Sequence, residues 1–175
     1  MNTDAVKNAG KIKMVVTDID GVLTDGRVFF IDGALSRFFN IKDGVAFVLL
    51  KLSGIKAAVI SGKSSSESQK RLEELGVDYY MEGVADKLAA IEGIIEKTGM
   101  KWEDVCYVGD DLPDLPVMKK AGFSAAPLDA CADVKNAADY VCKKEGGKGA
   151  FRETAEFILR ERGVWEEILQ KFLSL

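Results

Sequence analysis

Short apolar runs of strand length recur along this chain, separated by helical patterns, and that alternation limits the possible folds more than any other feature. Lys13–Thr17 (KMVVT), Ala57–Ser61 (AAVIS), Asp78–Met81 (DYYM) and Val105–Gly109 (VCYVG) are rich in β-branched or aromatic residues, with Phe123–Ala125 as a shorter fifth run. Such near-continuous apolar runs suit strands covered on both faces. The helical stretches between them have recognisable ends. Asp43–Ser53 stops at Gly54, and Ser64 with Glu67 forms a capping-box pattern that opens a helix running to Leu75. Asp86 can cap a helix carrying Leu88, Ile91, Ile94 and Ile95 on one face and closing at Gly99. Leu112–Ala121, Ala150–Arg162 and an amphipathic Gly163–Leu175 complete the set. Strands alternating with helices imply a parallel sheet built by crossovers. The expected fold is α/β, a three-layer, Rossmann-like parallel sheet flanked by helices, in a single domain over residues 1–175.

One segment breaks the pattern. Arg27–Ile31 and Ala34–Asn40 are strand-like runs joined by Asp32-Gly33, a strong type I′ hairpin signal. This insert at 27–40 carries Phe29, Phe30, Phe38 and Phe39. A two-stranded ribbon buries at most half of them, so they either cover the parent domain or form a subunit interface, the sharper of the two readings.

Composition removes whole classes of chemistry. The chain has no histidine, so no Ser-His-Asp or Cys-His pair exists and no imidazole can shuttle protons. Cys106, Cys131 and Cys142 fit neither a disulfide framework nor a zinc spacing. A net charge of −4 offers no basic surface for nucleic acid or anionic lipid. No apolar run approaches the roughly 18 residues of a membrane span, and the start MNTDAVKNAGK has no signal-peptide pattern. A cytoplasmic protein with no membrane or nucleic-acid partner is expected.

The remaining acids are not scattered. The first strand ends in Asp18-Ile19-Asp20-Gly21, and the strand Val105–Gly109 ends in Asp110-Asp111 with Asp114 following. Ligands of open parallel sheets bind beyond the carboxyl ends of the strands. Up to five carboxylates would therefore gather at one edge and repel one another unless a cation lay among them. A hard divalent ion with oxygen ligands fits, Mg²⁺ first. Ser61 supplies a hydroxyl at another strand end, in a Ser61-Gly62-Lys63 turn suited to a phosphate oxygen. Lys87 stands in a first helical turn, where the dipole disfavours a cation unless anions lie nearby. These parts specify phosphoryl transfer: a carboxylate attacks phosphorus, a second moves the proton, and cations neutralise the charge.

At this point the residues resemble the haloacid dehalogenase superfamily of phosphotransferases, on the ordered set Asp18-Ile19-Asp20-Gly21-Val22-Leu23, Ser61, Lys87 and Gly109-Asp110-Asp111. The resemblance implies Asp18 as nucleophile, Asp20 as general acid/base, and Ser61 and Lys87 as holders of the phosphoryl group. It implies Mg²⁺ held by Asp18, the backbone carbonyl of Asp20 and Asp110, with Asp111 and Asp114 in support. More narrowly, Asp18–Gly26 (DIDGVLTDG), Phe39–Gly44 (FNIKDG), Asp110–Met118 (DDLPDLPVM) and Gly146–Glu153 (GGKGAFRE) look like the capless phosphatases acting on 3-deoxy-D-manno-octulosonate 8-phosphate, enzymes of lipopolysaccharide biosynthesis. That likeness implies no cap domain, a homotetramer in which a neighbouring subunit covers the site, and a tail from residue 146 able to reach an adjacent site. It carries substrate contacts onto Asp20, Asn40, Lys42, Asp43, Gly44, Ser61, Gly62, Lys63, Arg71 and Lys87, with Arg152 as a substrate or interface residue. The group commonly has arginine where Lys42 and Lys63 stand, and lysine lacks the bidentate fork for a carboxylate. A nonulosonate 9-phosphate is thus a competing substrate. A receiver-type signalling module uses similar residues, but it places its acidic pair at the first strand, whereas here D-x-D comes first and D-D last. A non-catalytic interaction domain is the third reading, disfavoured because every motif residue is present.

Overall fold

The computed structural model describes residues 8–174, so Met1–Lys7 and Leu175, at the two limits of the expected domain, lie outside it. Six strands form one all-parallel sheet: β1 (Met14–Thr17), β4 (Lys56–Ile60), β5 (Tyr79–Met81), β6 (Val105–Val108), β7 (Phe123–Ala126) and β8 (Tyr140–Val141), in the spatial order β5-β4-β1-β6-β7-β8. The four longer runs expected as strands are strands, without Lys13, Ser61, Asp78 and Gly109 at their ends and with Lys56 added at the start of β4. The two-residue β8 and the short helix preceding it, Ala132–Ala137, come from a segment with no clear periodicity.

Helices cover both faces. One face packs against α1 (Ile41–Leu52), α2 (Ser66–Glu74) and the C-terminal pair α6 (Ala150–Glu161) and α7 (Trp165–Leu173). The other packs against α3 (Lys87–Thr98), α4 (Leu115–Met118) and α5 (Ala132–Ala137). The strand alternation sorts side chains between these two cores: Val15, Val59 and Cys106 enter the first, while Met14, Val16, Ile60 and Tyr107 enter the second. Every residue of β1 and β6 is buried, as expected for central strands covered on both sides.

Local signals set the helix ends. Asp86 caps α3 by accepting from Ala89 N at 3.1 Å, and Gly99 ends it in the left-handed region. For α2 the cap is Ser65, which accepts from Ser68 N, one residue later than the Ser64–Glu67 pattern indicated. The expected helix at 112–121 is shorter, a 3₁₀ turn at Leu112–Asp114 leading into α4, because Pro113 and Pro116 withhold two backbone donors.

Between β1 and α1 the chain makes the hairpin β2 (Phe29–Ile31) and β3 (Ala34–Ser36), and no other strand among the described residues pairs with it. Its turn has φ of +50° at Asp32 and +81° at Gly33, the two positive values that a type I′ turn requires. Among the described residues, no helix is long and apolar enough to cross a membrane.

Candidate active site

Asp18 leaves β1 one residue beyond Thr17, and its backbone N–H donates to Val108 O at 3.1 Å, extending the β1–β6 register past the strand ends. That register sets Asp18 beside the Gly109-Asp110 turn. On the other side β4 delivers Ser61, whose N–H donates to Met81 O at 2.9 Å. The strand ends and the start of α3 enclose a cleft of about 400 Å³, lined by Asp18, Asp20, Ser61, Lys63, Lys87 and Asp110 among others.

Lys87 is the first residue of α3 and is nearly buried, so its ammonium needs partners. It lies 3.0 Å from Asp18 Oδ2 and 2.7 Å from Asp114 Oδ1. Burial alone would lower its pKa, but the Asp18 and Asp114 charges outweigh that and raise it, so the lysine is a firm cation. Asp114 is saturated. Its Oδ1 also accepts from Tyr107 Oη at 2.6 Å, and its Oδ2 accepts from the N–H groups of Asp110 and Asp111 at 2.9 and 3.2 Å. It anchors the cleft floor and orients the Asp110 loop.

Asp18 and Asp110 are not saturated. Asp18 Oδ1 is buried with no hydrogen-bond partner, and the Asp110 carboxylate accepts no hydrogen bond among the described residues. One oxygen from each of Asp18, Asp110 and Asp114 falls within a 4.8 Å span. Burial, then the charges of Asp114, Asp18 and Asp111, push Asp110 up to about 8. Burial pushes Asp18 up to about 6, with Lys87 offsetting only part. Like charges gathered out of water with an orphaned oxygen form a donor set that suits a hard divalent cation. Gly21 lets the loop pass: its φ is +88°, and a Cβ there would come within 2.0 Å of Asp110 Oδ2.

Asp20 lines the same cleft and is gripped by a residue that sequence reasoning missed. Arg37, at the end of the hairpin, sends Nε to Asp20 Oδ1 at 2.7 Å and Nη2 to Oδ2 at 2.9 Å, while Nη1 donates to Ser68 Oγ at 3.0 Å. The only sequence signal for Arg37 is a lone basic residue beside the hairpin aromatics, a pattern that ordinarily marks a solvated charge.

Of the other expected contacts, Gly62 and Lys63 line the cleft and the rest do not reach it within one chain. Asn40 caps α1, accepting from Lys42 N at 2.9 Å and donating to Gly147 O at 2.9 Å. Asp43 is buried and accepts from the N–H groups of Gly149 and Arg152 at 3.1 and 2.9 Å, capping α6 from a second helix. Gly44 packs on Arg71, which pairs with Glu74 at 3.2 Å. Lys42 lines a separate basic cleft with Lys143, Lys144, Lys148, Arg152 and Arg160. Asp111, by contrast, does line the cleft; it is exposed and accepts from Leu112 N at 2.9 Å. The tail from residue 146 packs on its own chain: Gly147 N donates to Val22 O at 2.9 Å, and a Cβ on Gly146 would strike Gly21 O at 1.9 Å.

Comparison with known proteins places this geometry. A family model described as haloacid dehalogenase-like hydrolase matches residues 31–122. The chain is similar to the 3-deoxy-D-manno-octulosonate 8-phosphate phosphatase KdsC of Haemophilus influenzae, 39% identical over 87% of this chain and 85% of that protein. It is 36% identical to the KdsC of Escherichia coli strain K12, over 95% of this chain and 89% of that protein. Among solved structures, the 3-deoxy-D-manno-octulosonate 8-phosphate phosphatase of Moraxella catarrhalis superposes with a TM-score of 0.94 at 35% identity, covering 98% of this chain and 99% of that one. That crystal structure holds a magnesium ion, a phosphate ion and KDO.

Proposed function

This chain belongs to the haloacid dehalogenase-like hydrolases and is a phosphatase of the KdsC type, and on that premise we propose that it hydrolyses a sugar-acid phosphate monoester, 3-deoxy-D-manno-octulosonate 8-phosphate, through an aspartyl-phosphate intermediate. The observation that carries the mechanism is the division of labour on Asp18: Lys87 holds one carboxylate oxygen, and the other is buried and unpartnered. A carboxylate so held attacks phosphorus as the bond to the leaving oxygen breaks, and Asp20 gives that oxygen its proton. Asp20 then takes a proton from water, whose oxygen attacks the same phosphorus and releases phosphate with Asp18 restored. Ser61 Oγ, which now donates to Lys63 O at 3.1 Å, and the Gly62–Lys63 turn receive phosphoryl oxygens. Asp18, Asp110 and the carbonyl of Asp20 would hold Mg²⁺. When bound, the ion would supply positive charge to the phosphoryl oxygens and relieve the repulsion among the aspartates.

The sugar acid rests on the relatives' names and on Lys63 at the cleft. A nonulosonate 9-phosphate is the competing reading, because Lys63 offers a point charge where the capless group commonly has an arginine fork, and that departure leaves the length of the sugar acid to the substrate test. We also infer a homotetramer in which a neighbour covers the open cleft. Phe30, Ile31, Phe38 and Ile41, all more than half exposed, support it. A phosphate-release screen over eight- and nine-carbon 2-keto-3-deoxy acid phosphates, with hexose phosphates as controls, tests the substrate. Activity is expected on one of the acids and abolished by chelation. Equal rates on hexose phosphates would overturn the assignment.

A further inference from the structure

We propose that Arg37 is a positioning residue for Asp20: its guanidinium fork fixes the carboxylate in the orientation from which it passes a proton to the leaving alcohol. The inference rests on the reading of Asp20 as acid/base and adds a residue to it. Three observations carry it. The Arg37 side chain is fully buried, whereas Asp20 keeps 19% exposure and lines the cleft. The contact is side-on and two-pronged, through Nε and Nη2 at 2.7 and 2.9 Å, so both carboxylate oxygens are held and rotation about the Asp20 side chain is removed. The third prong reaches Ser68 on α2 at 3.0 Å, which fixes the guanidinium to the framework as well as to its partner.

Anchoring the hairpin does not require this arrangement. Ser65 Oγ already donates to Leu35 O at 3.1 Å, and Phe39 packs into the main core. The fork therefore does something the other anchors do not: it sets the direction of one cleft carboxylate. Each Asp20 oxygen retains a lone pair beyond the fork, and proton transfer demands heavy atoms at about 2.6–3.2 Å. A misplacement of about 1 Å can cost about 100-fold.

The readout is leaving-group dependence, which a merely structural role would not move. An alkyl alcohol leaves poorly without a proton, whereas p-nitrophenolate leaves well without one. Single-turnover release of the alcohol or phenol, with enzyme in excess, is measured on the best sugar-acid phosphate and on p-nitrophenyl phosphate, for wild type, R37A, R37Q, R37K and D20N, with circular dichroism and thermal melts on each; it reads the first step alone, since water attack on the aspartyl-phosphate is common to both substrates. R37A and R37Q are expected to lose about 100-fold in that rate on the alkyl phosphate and less than about threefold on the aryl phosphate. R37K should recover part of the alkyl rate, and R37A should add little to D20N. If R37A does not fold, R37Q and R37K carry the test. Equal slowing of both substrates in folded R37Q, or no slowing, overturns the proposal while D20N still shows the alkyl-specific loss. A D20N variant without that loss overturns the acid/base reading itself, and the positioning role with it.

Discussion

The carboxyl edge of the sheet and the hairpin β2–β3 both reach the cleft, but they hold their residues by different means. At the sheet edge, β1 lies between β4 and β6 with every residue buried, and Asp18 continues the ladder through a backbone bond to Val108. Its position is fixed by register, and Lys87 of α3 braces its charge while being held in turn by Asp114 of the Asp110 loop. The hairpin has three residues per strand, pairs with no other strand among the described residues, and leaves Phe30 and Phe38 at 67% and 70% exposure. Its link to the cleft is Arg37, the residue after β3, which grips Asp20. The difference separates chemistry from access: a buried, cross-braced edge suits the reacting groups, and an exposed ribbon suits contacts that another molecule completes.

The largest effect should come from the edge. Asp18→Asn keeps the shape but removes the charge proposed to attack phosphorus, and phosphate release is expected to fall at least about 10³-fold. Circular dichroism should stay native, and retained activity would break the assignment of chemistry to this edge. Next, Lys87→Met leaves Asp18 and Asp114 buried without their cation. The expected loss is about 3–5 kcal/mol of unfolding free energy, read by urea denaturation. A loss below about 1 kcal/mol would mean that the edge is no more cross-braced than the hairpin.

The edge was the legible half. Apolar runs ending in D-x-D and D-D put carboxylates at strand ends, and the sheet then brings any such residues together. What the chain did not reveal is how polar groups are shared out. Asp43 sits in the motif FNIKDG, and its sequence neighbours cannot show that its carboxylate faces the N–H groups of Gly149 and Arg152, more than a hundred positions away. Arg37 was hidden for the same reason, since its partner Asp20 lies across the hairpin turn. The β8 strand was hidden because two residues are too few for a period.

Asp43 sharpens where the scaffold ends. Burial pushes its carboxyl up to about 6, against the stabilising N–H groups of Arg152 and Gly149 and the Arg152 charge, with Cys142 also nearby. A folded pKa above the unfolded 3.8 means that the fold prefers the protonated form. That contribution is full below about pH 4 and is lost as pH rises through about 6, amounting to about 3 kcal/mol. The stability of wild type relative to Asp43→Asn should therefore fall between pH 4 and 7. A pH-independent difference would mean that this carboxyl is solvated like the hairpin rather than enclosed like the edge.

The smallest effect on the subunit should come from the hairpin itself. Phe30→Ser with Phe38→Ser removes two exposed rings and one stacked pair, Phe29–Phe38, whose centroids lie 4.7 Å apart. Exposed side chains contribute little to a subunit's own fold, and such a ring pair adds about 0.5–1.5 kcal/mol, so the unfolding free energy should drop by about 1 kcal/mol. The same double variant should lower the sedimenting mass, because an exposed apolar ribbon is stable in water chiefly when something covers it. An unchanged mass with a large loss of stability would reverse the comparison. The ribbon would then be part of the scaffold, and Arg37 would be held by its own subunit alone.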